Sequence, residues 1–239
     1  MSVKLNGTSS YKCIFFDLDH TLWDYETNSK ETLLELYASY DLRAKGVYEF
    51  QDFMDRFKVV NTKLWDLYDR GEITSEIIRK ERFKQILEHF NAYDETLSEN
   101  ISRDYLHDCP KKCNLMPQAI DVLNYLSEKK YTLAVITNGF EEIQNTKLCS
   151  GKLEHYFKHV ITSQKAGHRK PAKEIFEYAM KANSVVASES IMIGDNLLTD
   201  IAGAKNASID TVFYNPDQIS HTTEVKHEIR SLVELQNIL

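Results

Sequence analysis

The stretch from Tyr11 to Trp23 reads YKCIFFDLDHTLW, and its short apolar run ends at two acidic residues, Asp17 and Asp19. A short continuous apolar run is typical of a strand buried in a parallel sheet. Ligands bind beyond the carboxyl ends of such strands, so we expect both carboxylates to lie at a binding site. Carboxylates this close repel each other unless a cation or a proton compensates their charge. A loop aspartate followed by a helix N-cap is the alternative interpretation of an isolated DxD.

Four further apolar runs follow in the later part of the chain, and most of them end in a polar residue. The five predicted strands cover residues 11–17, 133–137, 159–163, 191–195 and 211–214. Helical patterns separate the later runs, at residues 117–129, where a proline stands in the first turn, and at residues 171–182. Alternating strands and helices predict an α/β fold with a Rossmann-like, doubly wound parallel sheet.

Residues 24–105 show a different sequence pattern, with long helical periodicities and no comparable apolar run of a strand. Asn28 followed by Glu31 resembles a capping box, Gly71 is typical of a helix end, and Thr74 or Ser75 begins the next helical pattern. We therefore predict an all-helical insertion after the first strand. The predicted boundaries are a flexible tail at residues 1–10, a core at residues 11–23 and 106–239, and a helical cap at residues 24–105.

Composition excludes several classes of function. The net charge of -7 and the pI near 5.6 lack the basic excess that nucleic-acid polymers require. No segment has the apolar length of a membrane span or a signal peptide, so we expect a cytoplasmic protein with no membrane partner.

Four scattered cysteines fit a reducing compartment. Zinc ligation by Cys109 and Cys113, or by His155 and His159, is weakly indicated because neither pair has a convincing second pair. The sequence indicates no oligomeric state.

Three other polar segments follow predicted strands or precede predicted helices. Thr137 and Asn138 end the second strand, Lys170 precedes a proline at a helix start, and Asp195 ends a strand with Asp200 one turn later. Each has an ordinary explanation as a turn, a helix entry or a loop. Their common position at strand and helix ends, together with the first two aspartates, predicts one shared site.

These motifs resemble those of the haloacid dehalogenase-like hydrolase superfamily over essentially the whole chain. The matching segments are DLDHT, ITNG, RKP and GDNLLTD, and the helical insertion lies where that superfamily carries its cap. Two longer segments, VNTKLWDLYDRGEIT and ITNGFEEIQ, are similar to the pyrimidine 5′-nucleotidase branch, the house-cleaning nucleotidases. The resemblance implies a Mg²⁺-dependent phosphatase that acts on small phosphate monoesters through an aspartyl-phosphate intermediate.

The resemblance also implies a role for each motif residue. Asp17 becomes the nucleophile, Asp19 the acid and then the base, and Lys170 the positive charge beside the phosphoryl group. The remaining assignments are Thr137 and Asn138 as phosphoryl donors, the side chains of Asp17 and Asp195 with the Asp19 carbonyl as Mg²⁺ ligands, and Asp200 as support for those ligands. His20 and Arg169 adjoin these motifs, and we expect ordinary loop side chains at both positions.

Substrate choice is expected to depend on the helical insertion. Asn61, Trp65 and Tyr68 recur at about one-turn spacing and could offer a base an aromatic surface and an amide, although such a stripe is also typical of a cap core. A nucleoside 5′-monophosphate is the favoured substrate. The alternatives are sugar phosphates or phosphoglycolate, a dehalogenase or phosphomutase reaction, and a catalytically silent binding protein. Asp19 argues against dehalogenation, because a halide leaving group needs no proton.

Overall fold

The structure, a computed structural model, describes residues 11–239. The flexible tail predicted at residues 1–10 lies outside the described residues. The described chain forms two compact units, one of residues 11–22, 115–138 and 153–239, the other of residues 23–114 and 139–152. Segments 106–114 and 139–152, which the sequence analysis assigns to the core, therefore cluster with the second unit. The domain boundaries themselves stay a prediction.

A six-stranded parallel sheet forms the centre of the first unit, which we call the core unit. Its strands are β1 (Cys13–Phe16), β2 (Thr132–Thr137), β3 (Phe157–Thr162), β4 (Ser190–Gly194), β5 (Asp210–Tyr214) and β6 (His227–Ile229). Their order across the sheet is β3-β2-β1-β4-β5-β6, the order of a Rossmann-like fold. The predicted fold class and all five predicted strands are confirmed. The short β6 was missed because it has no apolar run.

Helices connect the strands and make up the second unit. In chain order the α-helices are α1 (Tyr25–Ser39), α2 (Phe50–Asp69), α3 (Ser75–His89), α4 (Glu95–Asp108), α5 (Ala119–Glu128), α6 (Glu141–Ser150), α7 (Ser163–Ala166), α8 (Lys173–Asn183) and α9 (Ala202–Asn206). The two helices predicted between strands correspond to α5 and α8. Among residues 11–239, no helix combines the length and apolarity that crossing a bilayer requires.

The strands of the core unit are apolar because the sheet is covered. All of β1 is buried, and Phe15 of β1 packs in one cluster with Ile136 of β2 and Met192 of β4. Ile175 and Phe176 of α8 belong to the same cluster. This packing fixes the carboxyl ends of β1, β2 and β4 beside one another.

The second unit, here called the helical unit, contains α1 to α4 and α6. Its core includes α2, where Phe57 lies against Phe83 and Tyr105 with ring centroids 6.0 and 5.3 Å away. Gly71 follows α2 with a positive φ of 78°, a conformation that favours glycine. Thr74 precedes α3, as predicted.

The predicted capping box at Asn28 is wrong. Helix α1 begins one turn earlier, where the Asp24 side chain accepts a 2.9 Å hydrogen bond from the backbone N–H of Thr27. Asn28 therefore lies inside the helix, and its buried amide pairs instead with the backbone of Asn114. It donates to Asn114 O at 2.9 Å and accepts from Asn114 N at 3.1 Å. Asp24 therefore caps α1, and the contacts with Asn114 use the Asn28 amide inside the helix.

Candidate active site

The carboxyl ends of β1 and β4 place three of the predicted aspartates at one edge of the sheet. Asp17 follows β1 and donates its backbone N–H to Ile193 O of β4 at 2.9 Å, and Asp195 follows β4 directly. The chain runs from β1 towards β3 on one side and from β4 towards β6 on the other. This reversal is the point at which doubly wound sheets bind ligands.

Lys170 holds two of the acidic side chains together. Its Nζ donates to Asp17 Oδ1 at 2.6 Å, to Asp200 Oδ1 at 2.6 Å and to Ile136 O at 2.9 Å. These bonds use the three hydrogens of the ammonium group. The residue is only 2% exposed, so its charge is hardly screened by water. Lys170 thus acts as a common counter-charge for Asp17 and Asp200.

Asp200 is fully buried. Its Oδ2 accepts a 3.1 Å hydrogen bond from the backbone N–H of Asn196, while its Oδ1 accepts from Lys170. Gly194 makes room for this carboxylate, because a Cβ at that position would lie 2.2 Å from Asp200 Oδ2. The glycine of the GDNLLTD segment is therefore required by a close approach between the strand end and the carboxylate.

Asp195 receives a hydrogen bond from a residue to which the sequence analysis gave no role. The buried Thr21 hydroxyl donates to Asp195 Oδ1 at 3.0 Å. The threonine of DLDHT was the available signal for this contact. Carboxylate oxygens of Asp17, Asp195 and Asp200 lie within 4.8 Å of one another, and within residues 11–239 no other group of potential metal ligands is found. An all-oxygen set of this kind suits Mg²⁺.

Crowding and burial shift the pKa values of these groups. Burial raises the pKa of Asp17 to about 7, opposed by the Lys170 charge and assisted by Asp200. Burial also raises the pKa of Asp195 to about 6, with the charge of Asp17 acting in the same direction and His20 opposing it. Burial lowers the pKa of Lys170, but Asp17 and Asp200 more than reverse this effect. The cluster carries more negative charge than Lys170 neutralises, so a proton or a cation must compensate it.

The predicted phosphoryl donors lie at the end of β2. Thr137 is its last residue and Asn138 follows, both almost fully buried. The Asn138 side chain contacts the backbone of Lys170, accepting from Lys170 N at 2.8 Å and donating to Lys170 O at 2.9 Å. Residues 32 positions apart in the chain are therefore joined beside the aspartates. The donor roles of Thr137 and Asn138 stay predictions.

The candidate substrate residues of the insertion lie along α2. Asn61 donates through Nδ2 to the Tyr25 hydroxyl at 3.1 Å and accepts through Oδ1 from Arg82 at 3.1 Å, so its amide is bonded inside the helical unit. Trp65 stacks on Phe140 with centroids 5.5 Å apart and an interplanar angle of 27°. Tyr68 also meets Phe140, at 6.3 Å, and Trp65 at 5.4 Å.

Phe140 and Arg82 take part in these contacts of the helical unit, but neither residue was identified from the sequence. Phe140 belongs to the segment assigned there to the core, two positions after Asn138. Arg82 is 2% exposed, although arginine within a helical pattern is typical of a solvent-facing position. Its guanidinium lies 4.7 Å from the centroid of the Tyr105 ring, a contact that periodicity alone does not indicate.

Two loop residues and the candidate zinc ligands remain among the residues singled out from the sequence. His20 has a positive φ of 62° and lies in the loop after β1. Arg169 accepts at its carbonyl from Ala172 N at 2.9 Å, which forms part of the turn before α8. Cys109 and Cys113 are free thiols, the first buried and the second exposed. The cysteine and histidine pairs weighed for zinc do not form part of the metal-ligand group found in the described residues.

Comparisons with known proteins give matches over most of the chain. Residues 14–214 match the family model of haloacid dehalogenase-like hydrolases. The pyrimidine 5′-nucleotidase PynA of Streptococcus pneumoniae is 30% identical over 96% of this chain and 95% of its own. The pyrimidine 5′-nucleotidase YjjG of Escherichia coli is 31% identical over 95% of this chain and 96% of its own. The crystal structure of the HAD-hydrolase YfnB of Bacillus subtilis bound to magnesium has a TM-score of 0.86 at 27% identity, covering 95% and 98% of the two chains.

Proposed function

Because this chain belongs to the haloacid dehalogenase-like hydrolase family, we propose that it is a phosphoric monoester hydrolase whose preferred substrates are nucleoside 5′-monophosphates, pyrimidine forms before purine forms. The observation that carries the proposal is the placement of Asp17 at the end of β1, bonded to a buried Lys170 that also binds Asp200. The two relatives named as pyrimidine 5′-nucleotidases support the substrate class.

Asp17 is assigned the nucleophilic step. Its Oδ1 accepts from Lys170, and the other carboxylate oxygen forms the bond to phosphorus while the bond from phosphorus to the ester oxygen breaks. Asp19 gives its proton to that leaving oxygen. It then takes a proton from water, whose oxygen attacks phosphorus, releasing inorganic phosphate and restoring the Asp17 carboxylate.

Lys170 supports this step in two ways. Its charge opposes the increase in the pKa of Asp17 that burial causes, which keeps more of the nucleophile ionised. Its contact with Ile136 O and Asp200 fixes the ammonium group beside the carboxylate, so no reorganisation is needed as the phosphoryl group moves. Thr137, at the end of the neighbouring strand, is assigned a hydroxyl hydrogen bond to a phosphoryl oxygen.

The acidic cluster fits a magnesium site in its donor atoms and its charge. Asp17 and Asp195 would hold the ion through their side chains and Asp19 through its carbonyl oxygen. A bound Mg²⁺ supplies positive charge that offsets the repulsion between a carboxylate and an anionic phosphate. Both oxygens of Asp200 accept hydrogen bonds from Lys170 and Asn196, which favours a supporting role for this residue over direct ligation.

We expect Mg²⁺ affinity to depend on pH. The metal requires ionised carboxylates, and burial raises the pKa of Asp17 to about 7 and that of Asp195 to about 6. Protons therefore compete with the ion, and its apparent affinity should fall as the pH decreases from about 8 to about 5. Calorimetric titration in two buffers of different ionisation enthalpy measures both the affinity and the protons released.

The same pKa values predict the effect of the metal on stability. Both folded-state values lie above the ordinary aspartate value of 3.8, so the metal-free folded protein binds protons more tightly than the unfolded chain. Their contribution to stability is present in acid and is lost as the pH rises through 6 and 7. Mg²⁺ should thus raise Tm more at about pH 8 than at about pH 5. Asp195→Ala should remove this difference, and an unchanged response in that variant would contradict the ligand assignment.

The substrate proposal is tested by kcat/KM over a panel of phosphate esters with Mg²⁺ present. We expect uridine and cytidine 5′-monophosphates to exceed adenosine 5′-monophosphate, and all three to exceed sugar phosphates and phosphoglycolate. If a sugar phosphate or phosphoglycolate leads by about tenfold, a difference of about 1.4 kcal/mol in transition-state binding, the nucleotidase proposal fails and the general phosphatase proposal remains.

The panel should also include a 2-haloacid and a hexose phosphate that a mutase would isomerise. Asp19 provides a proton donor that an ester oxygen needs and a halide does not, so we expect no halide release. Release of inorganic phosphate from the hexose phosphate, without isomerisation, separates a hydrolase from a mutase. Absence of turnover with every compound would favour a catalytically silent binding protein.

A further inference from the structure

We infer that Asn138 is a positioning residue for Lys170 and does not bind the phosphoryl group through its side chain. The inference rests on the proposed function for its kinetic test. The amide of Asn138 accepts from Lys170 N at 2.8 Å and donates to Lys170 O at 2.9 Å. A single side chain thus engages both polar backbone groups of the residue that carries the central positive charge.

Residues at the end of β2 bind both the backbone and the ammonium group of Lys170. The Asn138 side chain bonds the backbone, and Ile136 O, two residues earlier, accepts from Nζ at 2.9 Å. A lysine side chain has four flexible bonds, so the position of its ammonium group depends on how firmly its backbone is fixed. Both residues are at least nine-tenths buried, which makes these hydrogen bonds stronger than they would be in water. The two hydrogen bonds of Asn138 to the Lys170 backbone, here called the bracket, therefore support the position from which the Lys170 ammonium group reaches Asp17.

Asparagine suits this task for a chemical reason. Its amide places an acceptor oxygen and a donor nitrogen side by side in one plane, which matches the backbone N–H and C=O of a single residue. Aspartate lacks the donor and would add charge beside Asp17. Serine and alanine are too short to span both backbone groups, so either change should release the backbone of Lys170.

The core unit contains a second asparagine that binds both backbone groups of one residue. Asn215 donates to Ile219 O at 3.0 Å and accepts from Ile219 N at 2.8 Å, and it is also buried, at 3% exposure. It lies in the turn after β5, and its amide donates in addition to Glu228 Oε1 at 2.7 Å. None of these partners has a part in the proposed chemistry, so Asn215→Ala serves as a control for the loss of a buried asparagine that does not bind Lys170.

The experiment compares Asn138→Ala and Asn138→Ser with Asn215→Ala and the wild type. We expect both Asn138 variants to lower kcat for uridine 5′-monophosphate by roughly 10- to 100-fold with little change in KM. The inhibition constant of inorganic phosphate should stay the same. Asn215→Ala should also lower Tm, because it loses hydrogen bonds to Ile219 and Glu228, and it should leave kcat unchanged. The serine variant serves if the alanine variant does not fold.

Amide hydrogen exchange tests the bracket without any substrate. The N–H of Lys170 should exchange faster in the Asn138 variants than in the wild type and in Asn215→Ala. Weaker inhibition by phosphate or a higher KM with unchanged kcat would overturn the inference, since Asn138 would then bind the phosphoryl group directly. Unchanged kcat or unchanged exchange at Lys170 would overturn it as well. Absence of turnover in the wild type would refute the proposed function, while the exchange result still decides the bracket.

Discussion

Replacing Asp17 with asparagine should abolish turnover of every phosphate ester that the wild-type protein hydrolyses. An amide oxygen is a poor nucleophile and a poor metal ligand, so one change removes both proposed tasks. We expect kcat to fall by ~10⁴-fold or more. Asparagine has nearly the same shape, and its oxygen can still accept from Lys170, so Tm should change little. Steady-state kinetics and thermal unfolding of the purified variant measure the two effects.

Asp210→Asn is the matched control for this variant. Asp210 begins β5, so it lies at the amino end of a strand, whereas Asp17 follows the carboxyl end of β1. Asp210 Oδ2 accepts from the Tyr11 hydroxyl at 2.6 Å and from Lys226 at 2.5 Å. Both aspartates thus accept a hydrogen bond from a lysine, but only Asp17 lies at the proposed site. The control should keep wild-type kcat. Wild-type turnover in Asp17→Asn would remove Asp17 as the nucleophile.

Replacing Lys170 with methionine should damage both activity and stability. Methionine is also unbranched and one atom shorter, so the variant keeps most of the side-chain volume and removes the counter-charge of Asp17 and Asp200. Loss of a positioned charge beside the reacting group should lower kcat by about 10²- to 10³-fold or more. Breaking a buried ion pair by removing one partner costs ~3–5 kcal/mol of unfolding free energy. The cost should be smaller in acid, because carboxylates with raised pKa values take up protons there.

Denaturant unfolding at two pH values measures this cost, and Lys226→Met provides the control. Lys226 also binds an aspartate, Asp210, but both side chains are about half exposed, at 48% and 40%. An exposed pair contributes only about 0–1 kcal/mol, so the control should lose little stability at either pH and no activity. Equal destabilisation by Lys170→Met in acid and base would show that uncompensated carboxylates are not the cause.

The fold could be predicted from the sequence where burial leaves a local signal. Strands β1, β2, β4 and β5 are almost entirely buried and therefore read as apolar runs. The edge strand β3 is buried mainly at its end, and β6 reads HEI and leaves no such run. The signal also fails for the start of α1. Two possible N-caps, Asp24 and Asn28, stand one turn apart, and tertiary contacts with Asn114 decide between them.

The site residues could be predicted for a topological reason. Asp17 and Lys170 are 153 positions apart, yet Asp17 follows β1 and Lys170 lies in the connection after β3, just before α8. Connections that follow parallel strands lie at the same edge of the sheet, so these residues can meet. Which atoms pair cannot be read from such positions. Thr21 bonding Asp195, and Asn138 bonding the backbone of Lys170, depend on side-chain directions that only packing determines.

The helical unit shows the limit of periodicity. A stripe such as Asn61, Trp65 and Tyr68 indicates which side chains share a face, but a ligand surface and a packed interior give the same pattern. The amide of Asn61 is bonded to Tyr25 and Arg82. The stacking partner of Trp65, Phe140, lies 75 positions later in the chain, outside the predicted insertion. Contacts of that kind require the structure.

The most direct test of the account is to identify the residue that carries the phosphoryl group during turnover. Asp19 serves both the formation and the hydrolysis of the intermediate, so the wild-type protein is the one to trap: acid quenching during turnover of uridine 5′-monophosphate with Mg²⁺ should preserve the phosphorylated protein. Borohydride reduction converts an aspartyl phosphate to homoserine, which peptide mass spectrometry locates. We predict homoserine at position 17, and none in Asp17→Asn treated in the same way. Modification of another residue, or turnover without any trapped phosphoryl group at position 17, would contradict the proposed mechanism.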